Sequence, residues 1–340
     1  MRFLPRLPMM AYVLLTLLFA CDHSMPGSAQ SSVTVDSLIE QVLPNEPKKK
    51  PTVKRILSTT VLKAADPDTL PYLPFDPLML QAMYEQANFL QRKDIKPVGA
   101  SGITKEDMVY TIDLLQDVQL LQPEALRERF DFYRIKTSDS DDRVRITGYY
   151  TPILKASKKR SSAFPVPMYK RPKKNVPNPA AIDAGALKGR GLEICYVASK
   201  KELKNAQLQG SCLVEYPDGH REFLGFGGSV RGTGGTYVFF TPIGDRVQGS
   251  GSFPLTAGYS IAVDPRYIPL GSTFLIELPD INPAGKLIGK TYRIVFAQDR
   301  GGAIQTTKRI DMYCGIGLKG LEEARKINRY GRMWLLLPKQ

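Results

Sequence analysis

Apolar positions change their period along this chain. Leu78, Leu80, Met83 and Tyr84, and then Met108, Ile112, Leu114 and Leu115, recur at three- and four-residue intervals, which predicts helices. Ser101 and Thr104 offer N-caps upstream of Glu106 and Asp107, and a third helix is predicted after Pro123, through Leu126 and Phe130. After Arg143 nearly everything reads as short strands: VRITGYY, GLEICYVA, CLVEY, REFLGF, TYVFF, YSIAV, TFLIELP, TYRIVFA and RIDMYCGI. Turn chemistry separates them, as in Pro217–His220 (PDGH) and Arg231–Gly235 (RGTGG). Short strands with many Gly and Pro predict barrels rather than a doubly wound parallel sheet, and no period repeats as a solenoid would require. The expected class is mainly β with N-terminal helices.

The first twenty residues follow another pattern. Arg2 and Arg6 precede an apolar stretch from Met9 to Ala20, and Cys21 follows. A hydrocarbon core of about 30 Å needs roughly 20 helical residues, so residues 1–20 read as a signal peptide rather than a span. Leu18, Phe19, Ala20 and Cys21 resemble a lipobox with Cys21 as the lipidated first residue; Phe19 is atypical, and a soluble secreted protein is the alternative. Acyl chains would hold the protein firmly on a membrane, at about 0.8 kcal/mol per buried CH₂. A periplasm-facing anchor in the outer membrane is expected, with the inner membrane as the alternative because Asp22 resembles a retention signal of some bacteria. Residues 21–70 carry Ser, Pro and the run Lys48–Arg55 (KKKPTVKR), and read as a flexible tether.

Composition narrows the chemistry. The 340 residues are 43% hydrophobic and 24% charged, which excludes a disordered or fibrous chain. Formal charge is +14, and an anionic partner is expected. Between Thr151 and Lys200 eleven Lys or Arg face two acids, Asp183 and Glu193; this is either a surface for a polyanion or a solvated basic face. An exported protein does not meet the chromosome, and no basic–aromatic interleaving is evident, so nucleic acid is not an expected partner. His23 and His220 are the only histidines, which removes most zinc enzymes and the Ser/His/Asp and Cys/His hydrolases. Carboxylates must carry any acid–base work. Besides Cys21 there are Cys195, Cys212 and Cys314; either Cys195 and Cys212 are bridged or all three are buried thiols.

Three aspartates stand out. Asp264, before Pro265, reads as a turn organiser. Asp299 ends the strand TYRIVFAQD, where it either organises the Gly301, Gly302 turn or joins other strand ends. Asp311 shares a strand face with Arg309 and Tyr313, while Ile310 and Met312 take the other. Burial and a neighbouring Asp299 would keep Asp311 protonated and able to donate to a leaving oxygen; a structural acid bonded to backbone amides is the alternative. Tyr149 and Tyr150 offer flat faces for sugar rings, and Gln209 and Ser211 in LQGS offer an amide and a hydroxyl; either group could instead be core and turn.

TGYYTP (147–152), QGS (209–211), VDPRYIPLGS (263–272), AQDRGGAI (297–304), DMYCGIG (311–317) and GRMWLLLP (331–338) occur in this order. Together they resemble the membrane-bound lytic transglycosylase A (MltA) family of murein-cleaving lipoproteins, over roughly residues 75–338. The C-terminal part is similar to the "3D" domain, named for three aspartates that fall on Asp264, Asp299 and Asp311. The resemblance implies a double-psi β-barrel from residues 71–151 and 241–340, with a second small β-domain inserted at 152–240 and a glycan strand between them. It implies nonhydrolytic cleavage of the MurNAc–GlcNAc β-1,4 bond, Asp311 as acid and then base, and Asp299 tuning the site. Substrate would meet Tyr149, Tyr150, Gln209, Gly210, Ser211, Gly301 and Gly302. No metal or organic cofactor is implied. A noncatalytic wall-loosening protein and a two-carboxylate glycoside hydrolase are the rival readings. The chain departs from the family where GGAIQTT replaces GGAIKG, lengthening the Asp299–Asp311 spacing to twelve, and in a shorter inserted domain.

Overall fold

The computed structural model describes residues 50–51, 55–70, 72–73, 76–92, 99–115, 122–171, 192–232, 235–282, 284 and 286–340. The expected leader, Cys21 and most of the expected tether lie outside the described residues, as does the centre of the RGTGG turn.

Three helices precede the main run of strands: α1 (Pro77–Gln91), α2 (Lys105–Leu115) and α3 (Pro123–Arg129). Asp76 caps α1 by accepting the Met79 N–H at 2.9 Å, and Pro77 occupies the first turn, where its missing N–H costs nothing. Thr104 caps α2: its hydroxyl accepts the Asp107 N–H at 3.1 Å, and the Asp107 carboxylate accepts the Thr104 N–H at 3.1 Å. Asp107 also holds Arg55 at 2.8 Å in a buried ion pair.

From Arg55 onward, the described part of the expected tether is anchored to the fold. Val61, Leu62 and Leu70 are buried, and strand β1 (Leu62–Ala64) pairs with Tyr133–Ile135 of β2 (Phe130–Ile135). Three apolar anchors were hidden in a polar, lysine-rich composition. Phe130, expected to continue α3, opens β2, because inward positions 130, 132 and 135 fit a strand edge rather than a helix face.

The remaining strands are β3 (Val144–Thr151), β4 (Ile153–Ser157), β5 (Val166–Lys170), β6 (Glu193–Val197), β7 (Ser211–Glu215), β8 (Arg221–Gly232), β9 (Gly235–Pro242), β10 (Gln248–Gly249), β11 (Phe253–Pro254), β12 (Ser260–Val263), β13 (Thr273–Ile281), β14 (Leu287–Arg300), β15 (Arg309–Ile316) and β16 (Asn328–Pro338). The large sheet runs β1-β2-β16-β13-β14-β12-β15-β3, and an extra β16–β3 pairing closes its last six strands into a ring. Two pairings in the ring, β12–β14 and β15–β3, are parallel. The runs Phe274–Ile276 and Met333–Leu337 are buried throughout, since one strand face lines the barrel core and α2 covers β13 and β16 on the other.

Strands β4 to β9 close a second barrel in the order β4-β6-β5-β9-β8-β7, around Leu154, Met168, Cys195, Cys212, Leu224 and Phe240. Cys195, Cys212 and Cys314 are free and buried; burial pushes the Cys195 thiol up to about 11 and the Cys314 thiol to about 12, so none is a ready nucleophile. Two helices interrupt the region expected to be strand. In α4 (Lys200–Gln209) a Ser199–Glu202 capping box starts the helix and Gly210, at φ 81°, ends it; only Ala206 is buried, so no apolar period announced it. The other, α5 (Gly317–Lys326), lies so close to β3 that a Cβ on Gly148 would come within 2.5 Å of the Ala324 backbone.

Candidate active site

Strand register assembles the site. On β12, Ala262 pairs with Asp299 of β14 on one side and Asp311 of β15 on the other, and Asp311 pairs in turn with Thr147 of β3. Residues directly opposite one another share a sheet face, so these four positions form one row. The two carboxylate positions stand two strand spacings apart, about 10 Å between Cα atoms.

Asp311 accepts three hydrogen bonds. Arg309 donates from Nε to Oδ1 at 2.7 Å and from Nη2 to Oδ2 at 3.0 Å, and the Thr147 hydroxyl donates to Oδ1. The Asp311 side chain is 15% exposed and that of Arg309 37%, which places the pair at a surface the solvent reaches. This corrects the expectation of Asp311 directly beside Asp299: the two stand on either side of β12, and the charged partner of Asp311 is Arg309, two residues back on the same strand face.

Asp299 is held mainly by backbone. Its Oδ1 accepts the Ser250 and Arg300 N–H groups, each at 2.8 Å, and its Oδ2 accepts the Tyr149 hydroxyl at 2.8 Å. Burial raises the Asp299 carboxyl above its ordinary range, against the downward pull of those donors. Burial and the Asp299 charge push the Tyr149 phenol well upward, so Tyr149 stays a donor. Its ring lies 5.4 Å from that of Tyr313. Gly249 permits the whole arrangement: a Cβ there would meet the Gln298 carbonyl oxygen at 2.6 Å and the Asp299 Cβ at 3.1 Å, displacing the neighbouring Ser250 amide.

Other predicted residues sit where the two barrels join. Tyr150 is buried; its N–H donates to Gln209 Oε1 at 3.1 Å and its hydroxyl accepts from Asn205 at 3.0 Å, so its ring offers no open stacking face. The Ser211 hydroxyl meets Thr151 at 3.0 Å, and Thr151 meets the Tyr313 hydroxyl at 3.2 Å, making a buried chain of three hydroxyls across the junction. Gly210 and Gly302 have open space where a Cβ would stand, whereas a Cβ on Gly301 would press on Ile304 at 2.9 Å. Asp264 is a turn organiser as expected, gripped by Arg266 at 2.6 Å and held below the ordinary carboxylate range.

Sequence reasoning missed Thr147, Ser250, Gly249 and the grip of Arg309. The last was legible, since alternate strand residues share a face; the others depend on partners remote in sequence. Among the described residues no group of three or more His, Cys, Asp or Glu side chains has an arrangement that could hold a metal ion.

Known proteins carry the same signatures. The 3D domain model matches residues 259–337, the stretch from β12 through β16, and the MltA specific insert domain model matches residues 145–179. Membrane-bound lytic murein transglycosylase A of Escherichia coli K12 is 30% identical over 253 residues, covering 61% of this chain and 69% of that protein. Its Vibrio cholerae counterpart is 28% identical over 245 residues, covering 58% of this chain and 66% of that protein. The crystal structure of E. coli MltA with bound chitohexaose shares the fold at a TM-score of 0.67 and 22% identity, covering 86% of this chain and 100% of that one. A membrane-bound lytic murein transglycosylase from Agrobacterium tumefaciens does so at 0.61 and 23%, covering 76% and 92%. On sequence identity and coverage together, this chain belongs to the membrane-bound lytic murein transglycosylase A family.

Proposed function

We propose that this chain is a lytic transglycosylase that cleaves the MurNAc–GlcNAc β-1,4 bond of peptidoglycan strands without water, with Asp311 as the catalytic residue. What supports the reading is the row Asp299–Ala262–Asp311–Thr147 in a protein of this family. Asp311 gives a proton to the glycosidic oxygen as the bond to C1 breaks. The C6 hydroxyl of the same muramic residue then attacks C1, returns its proton to Asp311 and closes a 1,6-anhydro ring. Atoms balance with no water consumed, and the nucleophile is already tethered to the reacting sugar, which supplies a high effective concentration.

An acid step requires a proton on Asp311, and Arg309 occupies both of its oxygens. In this reading the incoming sugar displaces the exposed Arg309 head, while Thr147 keeps the carboxyl oriented. Asp299 fixes Tyr149 beside the reacting centre; Gln209, Gly210, Ser211, Gly301 and Gly302 line the approach of the strand, and Tyr150 braces the junction. The larger barrel, from residues 71–151 and 241–340 with 152–240 inserted, would have double-psi connectivity, consistent with its two parallel pairings. Residues 1–20 would be removed and Cys21 lipidated, anchoring the protein in the outer membrane facing the periplasm.

Digestion of purified sacculi followed by mass spectrometry tests the reading. Fragments ending in 1,6-anhydro-MurNAc are expected. Reducing ends alone would indicate a hydrolase, and sacculus binding without any released fragment a noncatalytic wall protein.

A further inference from the structure

The second barrel carries a pocket of its own, far along the strands from the aspartate row. Its 430 Å³ are lined by Lys155, Phe164, Glu215, Tyr216 and Arg221 among others, a volume suited to a short peptide segment. Two exposed cations converge on one sheltered carboxylate: Lys155 reaches Glu215 Oε2 at 2.6 Å and Arg221 reaches Oε1 at 2.5 Å, with side chains 73% and 65% exposed against 13% for Glu215. Lys158 lies over the Tyr216 ring at 4.3 Å, and the Tyr216 hydroxyl donates to Glu222 at 3.0 Å. The hairpin that builds this rim is fixed by its turn, where Gly219 takes φ 84° and the Asp218 side chain accepts the His220 N–H at 3.0 Å.

Exposed ion pairs contribute little to folding, so Lys155 and Arg221 exchange partners readily. A ligand bearing both carboxylate and ammonium would find complementary groups here: the Arg221 fork and the Lys155 charge for its carboxylate, Glu215 for its ammonium, and the half-buried Phe164 for its aliphatic part. Peptidoglycan supplies such a ligand. The peptide stem on muramic acid carries free carboxylates and a diamino acid.

Position agrees with chemistry. Strand β7 begins with Ser211 at the junction of the barrels and ends with Glu215 in the pocket, and β4 runs beside it in parallel, pairing Lys155 with Glu215. Four strand steps span about 13 Å, the reach of about four extended residues. We propose that this pocket binds the peptide stem of a muramic residue held at the glycan site, making the inserted barrel a reader of stem-bearing strands. The inference rests on the transglycosylase reading for its substrate.

The test compares the full-length wild-type protein with Arg221→Ala and Lys155→Ala on two substrates: sacculi, and glycan strands stripped of stems by an amidase. On sacculi KM should rise about fivefold with kcat little changed, and on stripped strands both constants should stay at wild-type values. Binding of a free stem tetrapeptide by calorimetry should weaken by a similar factor, and Arg221→Lys should restore part of it. Equal losses on both substrates would show a general charge effect and overturn the proposal, as would unchanged KM on sacculi or no tetrapeptide binding by the wild type. Failure of the parent reading has a separate signature, the absence of anhydro ends from stripped strands with the wild type, whereas tetrapeptide binding needs no catalysis.

Discussion

The two carboxylates flanking Ala262 occupy matching places in the sheet and opposite surroundings. Asp299 faces backbone amides and a phenol, and burial raises its carboxyl; Asp311 faces a partly exposed arginine and a hydroxyl at a solvent-reached rim. Fixed donors can orient a neighbour but cannot make way for a substrate, whereas an exposed guanidinium can. The difference suits the roles proposed above, positioning for Asp299 and proton transfer for Asp311.

The largest break in this comparison comes from Asp311→Asn, which should lower kcat by about 10²–10⁴-fold while leaving the fold and sacculus binding intact, as measured by circular dichroism and pelleting. An active variant would move the chemistry elsewhere. Thr147→Val, nearly isosteric, removes only the hydroxyl that orients Asp311; kcat should fall about tenfold at unchanged stability, and no loss would detach Thr147 from the site. Gly249→Ala drives a methyl into the Gln298 carbonyl and should cost about 1–3 kcal/mol in urea unfolding, with activity reduced through the displaced Ser250–Asp299 contact.

The smallest effect is a pH signature. Because burial raises the Asp299 carboxyl in the folded chain, its contribution to stability is complete below the unfolded pKa and is lost as pH rises through the folded value. Asp299→Asn lacks that titration. Urea midpoints measured from acid to neutral pH should therefore fall for the wild type relative to the variant, and parallel curves would contradict the assignment.

Much of the architecture was legible in local pattern. The α1 and α2 periodicities announced helices and TFLIELP announced β13, whereas GRMWLLLP, which forms β16, was legible only as a motif and not as a strand. Helix α4 was not, because it buries only Ala206 and is held by its caps, and β1 was lost in a composition that suggested a tether. The site was legible as residue types and only partly as geometry. Asp311 and Arg309 lie within one strand and their shared face could be read directly. Thr147 reaches Asp311 across 164 residues of chain through a parallel register, and Ser250 reaches Asp299 through a close approach that only Gly249 allows. Tyr150, read as a sugar platform, turned out to be committed to the junction through Asn205 and Gln209. Such partnerships are set by topology, which apolar periodicity does not encode.

The central claim is that the muramic C6 hydroxyl, not water, attacks the sugar carbon. Digestion of sacculi in ¹⁸O-labelled water measures this most directly. The account predicts anhydro-ended fragments carrying no ¹⁸O, and one ¹⁸O atom in each newly formed sugar end would contradict it.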